Sequence, residues 1–384
     1  MEPPNLWVDR LPSKYASEGP HVVRERGFVA TDGSWRWQPD PSGSWADVWY
    51  YDDVVKPLAK GFVAVGLDRT DLETVGIYDD LRPGTYLQAE RLVDMDTNHT
   101  EASVCFPNLL PRFCGQTFME RSDKALALLC VRAYNDWIVD DWCAGDGYGR
   151  LIPLIIVPLW DPRLAADEVR RCAAKGAYAV TFSENPWALG LPSIHSGAWD
   201  VFFAACEEVD SIVCIHIGSS SVFPTTSPDA PRIVGSVLLG HNAAGSLLDL
   251  VFSGTLARFP ALKVCFSEAN VGWMPYVIQR MDQIWEQRQG TVFGSDLPQP
   301  PSSYLRDRVY GCMIDDVAGV LLRDDVYGQI CFETDYPHSD SQWPDSKLAA
   351  ERMINAGNMN DDEVDAFLRG NAIKAFGLHR FGVT

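Results

Sequence analysis

Four side chains able to hold a metal or move a proton stand at the same end of four apolar runs. Glu184 closes AYAVTFSE (177–184), His216 lies near the end of SIVCIHIG (211–218), Glu268 closes LKVCFSE (262–268) and Asp335 closes GQICFETD (328–335). They are separated along the chain by 32, 52 and 67 residues, so only the fold could bring them together. Taken singly, each has an ordinary explanation, a solvated strand-end carboxylate or a hydrogen-bonded core histidine. Four on four strands point to a shared site. Carboxylates that converge cannot all stay ionised unless a cation compensates. A divalent metal supplies that charge and brings the pKa of a bound water towards neutrality. Imidazole with several carboxylates suits Zn, Fe or Mn better than Mg, and the number of carboxylates favours two ions with one Glu bridging them.

The elements that must position these groups can be read from the same stretches. Together with EASVCFP (101–107), LIPLIIVPL (151–159) and RVYGCMI (308–314) they make seven strand candidates. Most are continuous apolar runs, as expected of strands buried on both faces of a parallel sheet. Between them lie helical patterns such as DPRLAADEVRRCAAKG and VGWMPYVIQRMDQIWEQR, with Gly and Pro stops. The alternation predicts an α/β fold, a (β/α)8 TIM barrel, whose active site would be built at the C-terminal ends of the strands. An eighth strand would have to precede the others. Residues 20–95, including GSWRWQPDPSGSWADVWYYDD, are acidic and Trp-rich without clean periodicity. We read them as an insertion after the first strand, within a single domain spanning 1–384. DLPQPPSSY (296–304) reads as a linker.

A formal charge of −20 over 384 residues leaves no basic stripe for nucleic acid and disfavours anionic membranes. A small neutral or hydrophobic substrate fits better, unless arginines such as Arg112 and Arg132 create a local basic pocket. The N-terminus has no signal pattern, and no apolar run is expected to reach membrane-crossing length. The ten Cys form no CxxC pair and several lie inside apolar runs. They are expected to be reduced packing residues in a cytoplasmic protein. Thirteen Trp predict extensive aromatic packing or an aromatic-lined pocket.

HIGSSS (216–221), FSEANVGWMPY (266–276) and ETDYPHSDSQWP (333–344) resemble the amidohydrolase-2 branch of the metal-dependent TIM-barrel hydrolases, related to aminocarboxymuconate-semialdehyde decarboxylase. FPNLLPRFCGQTF (106–118), RAYNDW (132–137), TFSENPWALGLPSIHS (181–196) and the opening EPPNLW strengthen the match. The resemblance implies the barrel, a divalent metal and a homodimer. It implies that His216 is the fifth-strand metal ligand and Asp335 the eighth-strand ligand, which can also take a proton from the metal-bound water. Three positions depart from the pattern. Glu268 stands where the decarboxylases place a catalytic His, and Glu184 is placed to bridge two metals. Relatives open on D-x-H-x-x-E-P-P, of which Glu2 is the one ligand position present here.

His338, three residues beyond Asp335, is a candidate ligand or substrate contact. His195, on the loop after Glu184, is a candidate to polarise a carbonyl or serve as an acid. The sequence therefore predicts a metal-dependent hydrolase acting on an ester, thioester or amide of a hydrophobic small molecule, of the kind met in secondary metabolism. The alternatives are a non-oxidative decarboxylase of a small carboxylic acid and a catalytically inactive ligand-binding barrel.

Overall fold

In the computed structural model, residues 1–384 are described except 16, 31–35, 69–70, 73 and 293. The chain divides into two compact units, Met1–Pro158 with Thr334–Ser346, and Leu159–Glu333 with Lys347–Thr384.

The first unit holds a four-stranded antiparallel sheet in the order β2-β1-β3-β4, made of β1 (His21–Val29), β2 (Trp37–Pro39), β3 (Ser44–Tyr51) and β4 (Val54–Pro57). This is the first half of the acidic, Trp-rich segment; its residues 31–35 lie outside the described ones. The sheet hides a small core of Trp37, Ala46 and Val48. Arg24, Glu25 and Asp47 are paired across strands. The Arg24 guanidinium donates to both oxygens of buried Asp47, at 2.8 and 2.9 Å, and the Tyr78 amide donates to the same carboxylate. Trp37 Nε1 and the Tyr50 hydroxyl both donate to Glu25 Oε1. Helices α1 (Leu6–Arg10), α2 (Gln88–Thr97), α3 (Gln116–Met119) and α4 (Lys124–Trp137) complete the unit, with the parallel pair β5 (Ser103–Cys105) and β6 (Leu151–Ile155). Tryptophan carries much of the packing. Trp7 and Trp49 are fully buried and meet edge to face at 5.3 Å, and Trp7 Nε1 donates to the Cys130 carbonyl. That carbonyl satisfies the buried Trp7 indole N–H.

The second unit carries five parallel strands in sequence order: β7 (Ala179–Phe182), β8 (Ile212–His216), β9 (Val264–Ser267), β10 (Val309–Met313) and β11 (Ile330–Phe332). Every residue of β7 to β10 is buried, which is why these strands read as unbroken apolar runs. Helices α5 (Pro162–Ala173), α6 (Asp200–Glu208), α7 (Arg232–Leu238), α8 (Gly240–Phe252), α9 (Thr255–Arg258), α10 (Met274–Arg288) and α11 (Val317–Leu321) follow the strands. After β11 come α12 (Ser346–Gly357), α13 (Asp361–Asp365) and α14 (Asn371–Phe376). α5 shows how local signals set the bounds. Asp161 caps it by accepting the Arg163 and Leu164 amides, Pro162 fills the first position, and Gly176 leaves it at φ +95°.

All seven strands expected from 101 onwards are present, and each helical pattern named for those intervals is a helix. One expectation is corrected. The helical arm Arg232–Phe252 is long and apolar enough to cross a membrane, at mean hydropathy 1.2. The run escapes notice in the sequence because Gly, Ser, His and Asn interrupt it. Its second half packs into the unit through Ala243, Leu247, Leu250 and Val251.

Candidate functional site

Register determines which side chains share a face in the second unit. His216 pairs with Ser267, Cys214 with Cys265, and Cys312 with Cys331. Alternation along each strand then puts His216 on the face of Cys214, and carries the face of Cys331 on to Glu333. Thiols fill the strand interior and ionisable groups stand at the C-terminal ends.

His216 is buried, and its Nδ1 lies 2.6 Å from the Ile217 carbonyl, which fixes that nitrogen as a donor. Nε2 is therefore the nitrogen that meets the neighbouring carboxylate. It lies 2.9 Å from Glu268 Oε1. Burial lowers the imidazole pKa, but the Glu268 carboxylate outweighs it, and the net shift is upward. Glu268 sits at φ +57°, a left-handed conformation that a non-glycine residue adopts only where its surroundings impose it. Its backbone N–H donates to Glu333 Oε2 at 2.8 Å. Burial pushes the Glu333 carboxyl well up, and the nearby Cys312 and Glu268 charges push it further.

Glu184 follows β7 and is buried. Its Oε1 accepts from the Ser220 hydroxyl at 2.5 Å, from Asn242 Nδ2 at 3.1 Å and from the Ser220 amide at 3.3 Å. Ser219 holds the Glu184 backbone amide at 2.8 Å. Oε2 is buried and meets no hydrogen-bond donor among the described residues. Burial raises this carboxyl above the ordinary range, and the Ser220 and Asn242 bonds only partly offset it. One oxygen is thus firmly held and the other is left for something else.

A second group of candidates lies in the first unit. Both oxygens of buried Glu2 accept backbone amides, Asn108 at 2.8 Å and Leu109 at 3.1 Å. Asp335, at φ +49°, pairs through Oδ1 with His338 Nδ1 at 2.9 Å. The Phe62 ring meets the His338 ring edge-on at 6.5 Å and lies 5.9 Å from Lys56 Nζ. Lys56 Nζ donates to the Leu109 carbonyl. Burial, aided by the Arg112 cation, lowers the Lys56 pKa to about 8. His195 stands apart from both groups in its bonding. Half exposed, it pairs with Asp249 on α8 at 2.9 Å and bonds to none of Glu184, His216, Glu268 or Glu333.

The second-unit donors fit a divalent ion. An imidazole nitrogen and a carboxylate oxygen about 3 Å apart have the spacing of neighbouring ligands at about 2.1 Å from one metal. Glu184, with its orphaned oxygen, follows the adjoining strand β7, and the Ile217 carbonyl orients the imidazole as the hydrogen-bond partners of metal-bound histidines do.

A family model described as Amidohydrolase matches residues 44–378. The chain belongs to the amidohydrolase family. Among the family's proteins, 2-amino-3-carboxymuconate-6-semialdehyde decarboxylase of Dictyostelium discoideum is 24% identical over 237 residues, 60% of this chain. The match spans 62% of that relative's length, less than two thirds. An amidohydrolase from Mycobacterium avium subsp. paratuberculosis superposes with a TM-score of 0.70 at 19% identity, over 98% of this chain and 96% of its own. A 5-carboxyvanillate decarboxylase from Novosphingobium aromaticivorans, a mutant solved with bound manganese, superposes at 0.59 with 20% identity, over 75% and 80%. At these identities the likeness is one of fold, an α/β arrangement of parallel strands consistent with a TIM-barrel amidohydrolase.

Sequence reasoning missed several participants. Glu333 was readable, since it stands two residues before Asp335 in ETDYPHSD and alternation gives it the face of Cys331. Nothing in the GSSS stretch marks its serines as partners of a carboxylate, yet Ser219 and Ser220 hold Glu184. Lys56 lies in VVKP on a sheet whose periodicity is obscured, and no sequence signal marks it.

Proposed function

We propose that this chain is a metal-dependent, non-oxidative decarboxylase of a small carboxylic acid. The metal reading rests on one observation, the buried His216 imidazole 2.9 Å from the Glu268 carboxylate at the ends of neighbouring strands. The choice of decarboxylation draws on the relatives, which are named as decarboxylases of carboxylated aromatic or muconate compounds. In this reading His216, Glu268 and Glu184 hold a divalent ion of the Zn, Fe or Mn class, and Glu333 orients Glu268 through its backbone. The bound ion supplies an electrophile for the negative charge that develops on a substrate oxygen.

The other steps belong to the chain's own residues. Loss of CO2 leaves an electron pair on carbon, and a proton must be delivered there. Among the second-unit groups, Glu333, whose carboxyl burial pushes well up, is the candidate to supply it. In this reading a cytoplasmic setting suits the ten cysteines, all of which are free thiols.

Hydrolysis of an ester, thioester or amide at a dinuclear centre is the second reading. It is favoured by the presence of three carboxylates, Glu184, Glu268 and Glu333, around one imidazole. The experiment that separates the two is metal reconstitution followed by an assay of aromatic and unsaturated carboxylic acids against matched esters. One ion per chain with CO2 release supports decarboxylation. Two ions with ester cleavage and no CO2 supports hydrolysis.

A further inference from the structure

In the first unit, α2 and the segment 334–343 contribute to a recess lined in part by Arg91, Asp94, Asn98, Ser103, Tyr336 and Trp343. It measures about 200 Å3 counted out to its mouth, below the usual range for drug-sized ligands and ample for a small ion. Two of its side chains are buried with hydrogen-bond donors unspent.

Arg91 is 7% exposed. Its guanidinium lies over the Tyr336 ring at 3.8 Å, and its side-chain hydrogen bonding is one long contact, from Nη2 to the Ser103 hydroxyl at 3.5 Å. Its Nε is enclosed and meets no acceptor, and among the described residues no carboxylate pairs with the cation. The acid in the recess is already committed. Arg82 holds both oxygens of Asp94, with Nε donating to Oδ2 at 2.7 Å and Nη2 to Oδ1, and the Tyr336 hydroxyl also donates to Oδ2. A guanidinium carries five donors and keeps its charge, so burying one without a counter-charge is costly. Two guanidinium groups and one carboxylate leave a local excess of one positive charge, in a chain whose net charge is −20.

Asn98, 4% exposed, is the second such group. Its Oδ1 accepts the Ser346 amide at 3.2 Å, which assigns the other terminal atom as Nδ2. That nitrogen meets no acceptor among the described residues. We propose that the recess binds a small planar monovalent oxyanion of the formate or bicarbonate class, with the Arg91 guanidinium as its counter-charge and the Asn98 amide as a further donor. The planar fork of a guanidinium suits the two oxygens of a carboxylate better than a spherical ion. None of these residues is a ligand in the metal reading, and the proposal does not rest on it.

The test is saturation transfer from the full chain to the proton of formate, followed by nuclear magnetic resonance as formate is titrated. A saturable signal is expected in wild type, with bicarbonate displacing it. It should persist in Glu268→Ala, which separates this recess from the proposed metal centre. It should be lost in Arg91→Met. Asn98→Asp, which keeps the acceptor for the Ser346 amide and puts a carboxylate in the recess, should also lose it, and it serves if Arg91→Met loses its helical circular dichroism. No saturable signal in wild type overturns the site. So does an unchanged signal in either folded recess variant, or loss of the signal in Glu268→Ala. Displacement of formate by bromide at concentrations where bicarbonate leaves it bound overturns the planar class in favour of a halide.

Discussion

In the antiparallel sheet of residues 21–57, charged side chains sit mid-strand and are paired across the sheet, Arg24 with Asp47 and Glu25 with Trp37 and Tyr50. In the parallel strands of residues 179–332, mid-strand positions are apolar, thiol or hydroxyl, and the ionisable groups His216, Glu184, Glu268 and Glu333 stand on or beyond the last residue. One sheet spends its charges on its own cohesion. In the other, groups at the strand ends satisfy only part of one another's bonding capacity, as the orphaned Glu184 oxygen shows. Polar groups that a fold buries without fully satisfying are the ones to examine for function.

The largest contrast should come from removing one charged group from each region. Glu268→Ala and His216→Ala are expected to bring bound metal to background by elemental analysis while circular dichroism and melting remain near wild type. Asp47→Ala should do the reverse. It strands the Tyr78 amide and removes one of the two carboxylates that hold the Arg24 guanidinium, Asp79 being the other, and it should lower unfolding free energy by roughly 1–3 kcal/mol in denaturant titrations, with metal content unchanged. Loss of metal in Asp47→Ala, or loss of fold in Glu268→Ala, would erase the distinction.

Asn242→Ala removes one of three donors to Glu184 Oε1. Metal affinity should fall about 10–100-fold, the usual effect of losing a group that orients a ligand. A smaller and pH-dependent effect is expected at Lys56, the charged group on β4 whose environment departs most from water. Its folded pKa, about 8, lies below the unfolded value of 10.5, so between them the unfolded chain binds more protons. Stability should therefore rise with pH through that window. In Lys56→Met that rise is absent. Relative to wild type the variant should lose on the order of 1–2 kcal/mol between pH 8 and 10.5. Parallel pH profiles for the two proteins would place Lys56 in an ordinary solvated setting.

The same contrast explains what was legible from sequence. The seven parallel strands could be read because burial on both faces leaves runs such as SIVCIHIG without polar interruptions. Glu184, His216 and Glu268 could be read because they break those runs at one end. The antiparallel sheet could not. Arg24, Glu25 and Asp47 look solvated in a linear reading, and only cross-strand pairing, invisible in one dimension, makes them structural. Ser220 and Asn242 were hidden for a related reason, since they act on a carboxylate 36 and 58 residues away. His195 had the right residue type in a suggestive loop, and the structure pairs it with Asp249.

The central claim is tested most directly by following metal content and CO2 release in one preparation. The chain would be stripped with a chelator, refilled with Mn2+, Zn2+ or Fe2+ and given a panel of aromatic and unsaturated carboxylic acids. We predict one ion per chain and CO2 release from at least one acid, both lost in Glu268→Ala. A chain that takes up no ion, or one that takes up two and cleaves esters without releasing CO2, contradicts the account.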